Sequence, residues 1–174
     1  GWAVASANEE NSVTQYSFYY GSIEGSYAAR FSSYYSASTG DYTQHLMTPQ
    51  ISLPAGGNHR FKFWYLSYSS SPFVTEVFSV GVSTTDADPA SFTYGAEITD
   101  ATSAEWKQAE VDLSAYAGQD VYIDIKYTSD YQYYVYIDDV TVEPAPTDPV
   151  ADISVDILDF GIVQVGQSSS LDLT

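Results

Sequence analysis

The sequence predicts an all-β protein whose short strands pack as a two-sheet sandwich, and three observations carry that reading. Helical periodicity is almost absent, whereas alternating or apolar runs bounded by Gly, Pro, Asn, Asp and Ser recur up to about residue 143. The chain holds 17 Tyr, 8 Phe and 3 Trp set among many Ser, Thr and Val, a mixture that favours pleated, half-buried surfaces. The segments between runs carry tight-turn residues, and a sandwich uses many short strands economically.

The first predicted strand is Ser26 to Ser33 (SYAARFSS). His59 to Tyr68 (HRFKFWYLSY) follows a turn of Leu53-Pro54-Ala55-Gly56-Gly57-Asn58, and one of Phe63 and Trp64 must face the core. Val77 to Ser83 (VFSVGVS) ends at the turn-rich Thr84 to Ser91, and Trp106 to Leu113 (WKQAEVDL) ends at Ala115 to Gln119. Val121 to Tyr127 (VYIDIKY) and Tyr133 to Val142 (YYVYIDDVTV) complete the set. Trp2 and Trp106 are expected to pack under loops.

The last run stops at Glu143 to Pro149 (EPAPTDP), where three prolines remove ladder donors and stiffen the chain. This divides the sequence into a domain at 1–143, a linker at 144–149 and a tail at 150–174. The tail begins two or three more strands around Ile153 to Ile157 and Leu158 to Phe160, but so short a piece buries no core alone. It reads as the opening of a second β domain.

Four ordered motifs bring a family into view: Leu46 to Gly56 (LMTPQISLPAG), Ser79 to Phe92 (SVGVSTTDADPASF), Asp112 to Tyr127 (DLSAYAGQDVYIDIKY) and Val135 to Val142 (VYIDDVTV). They resemble the cleaved-adhesin, or choice-of-anchor J, domain of secreted bacterial proteins, related to the MAM-like jelly rolls. Gly1-Trp2 is similar to the family's early Gly-Trp pair. The acidic strand that precedes that pair in the family is not in this sequence, so the start of the domain is expected to lie outside it. Leu158 to Gln167 (LDFGIVQVGQ) is similar to the opening of Ig-like repeats of the choice-of-anchor D type. The resemblance implies a jelly-roll β-sandwich of two antiparallel sheets, followed by a short piece of an Ig-like domain. It also implies export, placement in a larger secreted or cell-surface protein, and calcium as a recurrent structural ion.

Charge and residue inventory exclude several functions. Five Lys plus Arg against 23 Asp plus Glu give a formal charge of −18, which repels nucleic acid and anionic lipid surfaces. No apolar run is long enough for a membrane span, and any export signal lies outside this sequence. There is no Cys, hence no disulfide, thiolate nucleophile or Cys-ligated metal. His45 and His59 stand without a Gly-x-Ser-x-Gly elbow or a His-Glu-x-x-His helix, and read as surface or turn residues. No enzyme is predicted.

The carboxylates read as solvating groups or as ligands for Ca²⁺, which takes six to eight oxygens. Asp138 and Asp139 lead. Adjacent strand residues point to opposite faces, so one is expected at the sandwich edge and the other in solvent or against a neighbouring turn. The resemblance favours Asp138 and adds Glu76, where family members also carry Glu; Glu24, Glu9 or Glu10 would close the site from the N-terminal loops. Aromatics supply a second binding chemistry, because sugar rings stack on Tyr or Trp. Tyr34, Tyr35, Tyr68, Tyr131 and Tyr133 are the ligand-binding candidates, with Tyr65, Gln132 and Tyr134 in the same pool. The expected function is an extracellular adhesion module that binds a cell-surface protein or glycan beside further domains of its polypeptide. A carbohydrate-binding module serving a glycosidase or peptidase, and a structural spacer in a surface fibre, are the alternatives.

Overall fold

The computed structural model describes residues 1–8, 11–17, 22–34, 40–68, 75–101 and 105–146. The 150–174 tail, Glu9, Glu10 and Tyr35 lie outside the described residues. The strands are β1 (Ala3–Ser6), β2 (Thr14–Ser17), β3 (Tyr27–Ser32), β4 (Gln44–Met47), β5 (Ile51–Ser52), β6 (His59–Tyr68), β7 (Thr75–Ser83), β8 (Thr93–Tyr94), β9 (Ile98–Ala101), β10 (Lys107–Asp112), β11 (Asp120–Tyr127) and β12 (Tyr134–Pro144). Every run predicted between residues 26 and 142 contains a strand. The strands that were not predicted are β1, β2, β4, β5, β8 and β9, none longer than four residues. Each is too short to display a period of its own and is fixed by its partner.

All pairings are antiparallel. One sheet runs β1-β4-β11-β7-β8, with β5 also on β11 and β9 on β7; the other runs β10-β6-β12-β3-β2. The chain changes sheet between β1 and β2, β3 and β4, β5 and β6, β6 and β7, β9 and β10, β10 and β11, and β11 and β12, so both layers are built together, as in the expected jelly roll. Pro144 still pairs with His59, and the Ala145 N–H donates to the Asn58 carbonyl at 2.8 Å, so the final strand runs one residue past the predicted boundary.

The core lies between the sheets. Phe31, Phe61, Phe63, Val135 and Ile137 meet Phe78, Val80, Val121, Ile123 and Tyr127 there. The Phe63 ring stands 6.3 Å from Phe78, edge-on, while Trp64 on the opposite side of the strand is half-buried. Trp2 corrects the expectation of packing under a loop: it is 48% exposed.

Candidate functional site

Alternation along β6 sorts its residues into two faces. Phe61, Phe63 and Tyr65 join the core, which leaves Arg60, Lys62, Trp64, Leu66 and Tyr68 on the outward face. The register extends that face across the sheet. Leu66 pairs with Tyr136 and Tyr68 with Tyr134, and these two tyrosines pair with Arg30 and Ser32.

The face has two halves. At the β6 start, Arg60 binds Glu110 at 2.7 Å and Glu143 at 2.5 Å, while Lys62 binds Glu143 at 2.9 Å. Lys62 and Arg60 together hold the Glu143 carboxyl below its ordinary range. From Trp64 onward the face turns aromatic. Leu66, Tyr136 and Ala28 form an apolar cluster on the outside of the sheet, under Tyr68, Trp106 and Tyr134. Leu66 is 1% exposed and Tyr136 4%. Burial pushes the Tyr136 hydroxyl well above its ordinary titration range. A solvent face of an antiparallel sheet is ordinarily polar, so this aromatic half-face is the candidate binding surface.

Three of the predicted tyrosines meet at its edge. Tyr34 contacts Tyr133 edge-on at 4.8 Å and stacks on Tyr134 at 5.9 Å, and Tyr68 lies 6.4 Å from Tyr133. The Ser33 N–H donates to the Tyr133 carbonyl at 3.1 Å and the Gln132 N–H to Ser33 Oγ at 2.9 Å, which ties the end of β3 to the start of β12. Tyr131 stands in that connection with a left-handed φ of 49° and is exposed. Sequence reasoning missed Arg30, Tyr16, Tyr136 and Trp106 as members of the face. The two-residue spacing of Tyr134 and Tyr136 was the available signal; the placing of Arg30 beside them needed the β3–β12 register.

Asp138, Asp139 and Glu24 border one cavity of about 530 Å³, together with Trp2, Val4 and Tyr27. The expected split of Asp138 and Asp139 between opposite faces is corrected by a β-bulge. The register with β6 shifts between Asp138 and Thr141, and Asp139 adopts a left-handed φ of 45°, which breaks strict alternation. Asp138 Oδ2 accepts from the Ile23 and Glu24 N–H groups at 2.8 and 3.2 Å, and Oδ1 accepts from the Asp139 N–H at 2.8 Å. Two N–H donors occupy Asp138 Oδ2, so a hard cation at this cavity would rest on Asp138 Oδ1, Asp139 and Glu24. Among the described residues no three His, Asp or Glu side chains converge as a metal group.

Glu76 lies elsewhere and is fully buried. Its Oε2 accepts from the Tyr127 hydroxyl at 2.7 Å and its Oε1 from the Tyr133 N–H at 2.8 Å. Tyr133 and Asp138 are five positions apart, about 17 Å along a strand, so Glu76 does not share the Asp138 cavity. Glu76 anchors the end of β12 beneath the tyrosine edge.

The histidines are corrected as well: both are buried. His45 lies on β4 between two other strands, where its Nδ1 contacts Asp124 Oδ2 at 2.6 Å, and the Tyr94 hydroxyl donates to the same oxygen at 2.7 Å. This cluster fastens the β8 segment to the outside of the larger sheet. His59 is shielded at the start of β6.

The cleaved adhesin domain family matches residues 5–142. Among solved structures, the K1 cleaved adhesin domain of Lys-gingipain from Porphyromonas gingivalis superposes with a TM-score of 0.67 at 20% identity, covering 83% of this chain and 91% of that one. The K2 domain of Lys-gingipain gives 0.65 at 18%, over 83% and 89%. The module TmCBM61, solved in complex with β-1,4-galactotriose, gives 0.59 at 18%, over 83% and 88%. No curated protein sequence matches the chain. The structural likenesses establish a shared sandwich, and the family match spans most of the sequence, so this chain belongs to the cleaved adhesin domain family.

Proposed function

We propose that the chain is a non-catalytic extracellular binding module whose ligand surface is the aromatic half of the outward face of the five-stranded sheet. The observation that carries this is the Tyr34, Tyr68, Tyr133 and Tyr134 group beside the Leu66–Tyr136 cluster, on a face where solvent contact ordinarily selects polar residues. Its stacked and edge-on rings offer rigid apolar area with hydroxyl groups at the rim, which suits the C–H faces and hydroxyls of a sugar. The fold shared with a module solved with a galactotriose supports a glycan as the ligand. A cell-surface protein is the second reading, supported by the family. Glycan-array and pull-down binding of the purified chain separate the two, and silence in both supports the spacer.

Calcium is part of the same proposal, held at the cavity by Asp138, Asp139 and Glu24. Its role there is structural. A chain of net charge −18 without disulfides gains from any cation that lowers repulsion among its carboxylates.

A further inference from the structure

The chain has five basic residues. Arg60, Lys62 and Lys107 pair with Glu110, Glu143 and Asp100, and the Lys126 ammonium lies over the Tyr94 ring at 4.8 Å. Among the described residues no carboxylate pairs with Arg30. Its guanidinium lies over the Tyr16 ring at 4.4 Å and over the Tyr134 ring at 5.0 Å. Its Nε is buried without an acceptor.

We infer that the aromatic face takes an acidic sugar, and that Arg30 receives the sugar's carboxylate; this rests on the glycan reading above. The physical case has three parts. A guanidinium lying over two rings has already lost much of its side-chain freedom, so a ligand that pairs with it has little left to immobilise. The planar fork matches a carboxylate, and a charge-assisted hydrogen bond is about twice as strong as a neutral one. The Nε is shielded from solvent, so the terminal nitrogens of the guanidinium are the groups that meet the carboxylate.

The net charge sharpens the argument. A surface of −18 rejects anions generally, so an acidic sugar is accepted only where a cation is fixed beside the stacking rings. Screening at physiological salt acts over about 8 Å, which leaves the local guanidinium as the deciding charge. Arg30 is therefore a specificity residue: the rings hold the sugar and the guanidinium selects its charge.

The test titrates the whole chain with an oligogalacturonate and with its fully methyl-esterified form, whose carboxyl groups are neutral methyl esters on the same sugar backbone. Wild type is expected to bind the acid at least about tenfold more tightly, a difference of about 1.4 kcal/mol. Arg30→Gln is expected to lose or reverse that preference, and Arg30→Lys to keep part of it, with a thermal melt checking that both variants fold. Equal binding of acid and ester, both lost in Tyr134→Ala, overturns the acidic-sugar assignment and leaves the aromatic face standing. An acid preference unchanged in Arg30→Gln overturns the role of Arg30. Binding of a polyglutamate peptide in place of the uronate moves the anion to a protein, and binding of neither sugar form overturns the assignment as well.

Discussion

Gly81 sits in the middle of β7, where a Cβ would stand 2.7 Å from two carbons of the Tyr94 ring and 3.1 Å from Phe92 Cβ. Its absence lets Tyr94 lie across the sheet and reach Asp124. Gly81→Ala is expected to push Tyr94 off and lower stability by about 1–3 kcal/mol, the usual cost of overpacking, read as a lower denaturation midpoint; an unchanged midpoint contradicts the account. Glu76 supplies a pH test. Burial raises its carboxyl above the ordinary 4.5, against the opposing pull of hydrogen bonds from Ser129, Tyr127 and Tyr133. The folded state then holds this proton more tightly than the unfolded chain. The resulting stability is fully present below 4.5 and is lost as pH rises through the raised value. Denaturation of wild type and Glu76→Gln between about pH 4 and pH 7 should show wild type losing ground to the variant as pH rises; parallel curves contradict it. Neither residue's role was legible in the sequence, where Gly81 reads as one more small strand residue and Glu76 as a candidate calcium ligand. Both roles depend on partners brought in by long-range pairing.

Among the elements, β6 was the most legible and its meaning the least. HRFKFWYLSY gives the two faces by alternation, but Phe61, Phe63 and Tyr65 oppose Trp64, Leu66 and Tyr68, so apolar residues lie on both and hydrophobicity alone does not pick the core. The β12 bulge was hidden for a different reason. An Asp-Asp pair carries no mark of a left-handed residue, although Asp tolerates that conformation better than most. The bulge sets Asp138 and Asp139 on one cavity and lets Asp138 staple the 23–24 backbone to β12. The proposed calcium is tested at this scale by thermal melts in Ca²⁺ and in chelator, with Mg²⁺ and NaCl as controls. A Ca²⁺-specific rise is expected, about 2.7 kcal/mol at a hundredfold excess over the dissociation constant, and Asp138→Ala should abolish it. Equal melting temperatures would contradict the metal, and a shift reproduced by NaCl would leave charge screening alone.

At the scale of the whole molecule, composition and turn spacing were enough for the two-sheet sandwich, because its core is built from alternating runs that read locally. The candidate face was not, since it is assembled from β2, β3, β6 and β12 and exists only once their registers are set. Its division into a charged half and an aromatic half gives the most direct test of the central claim. A glycan array probed with wild type, Tyr134→Ala and Lys62→Ala compares one change in each half of the same sheet face. The account predicts glycan binding by wild type that falls at least about tenfold in Tyr134→Ala, the loss of roughly 1.4 kcal/mol, and persists in Lys62→Ala. Binding that survives Tyr134→Ala, or that is lost in Lys62→Ala alone, would contradict it.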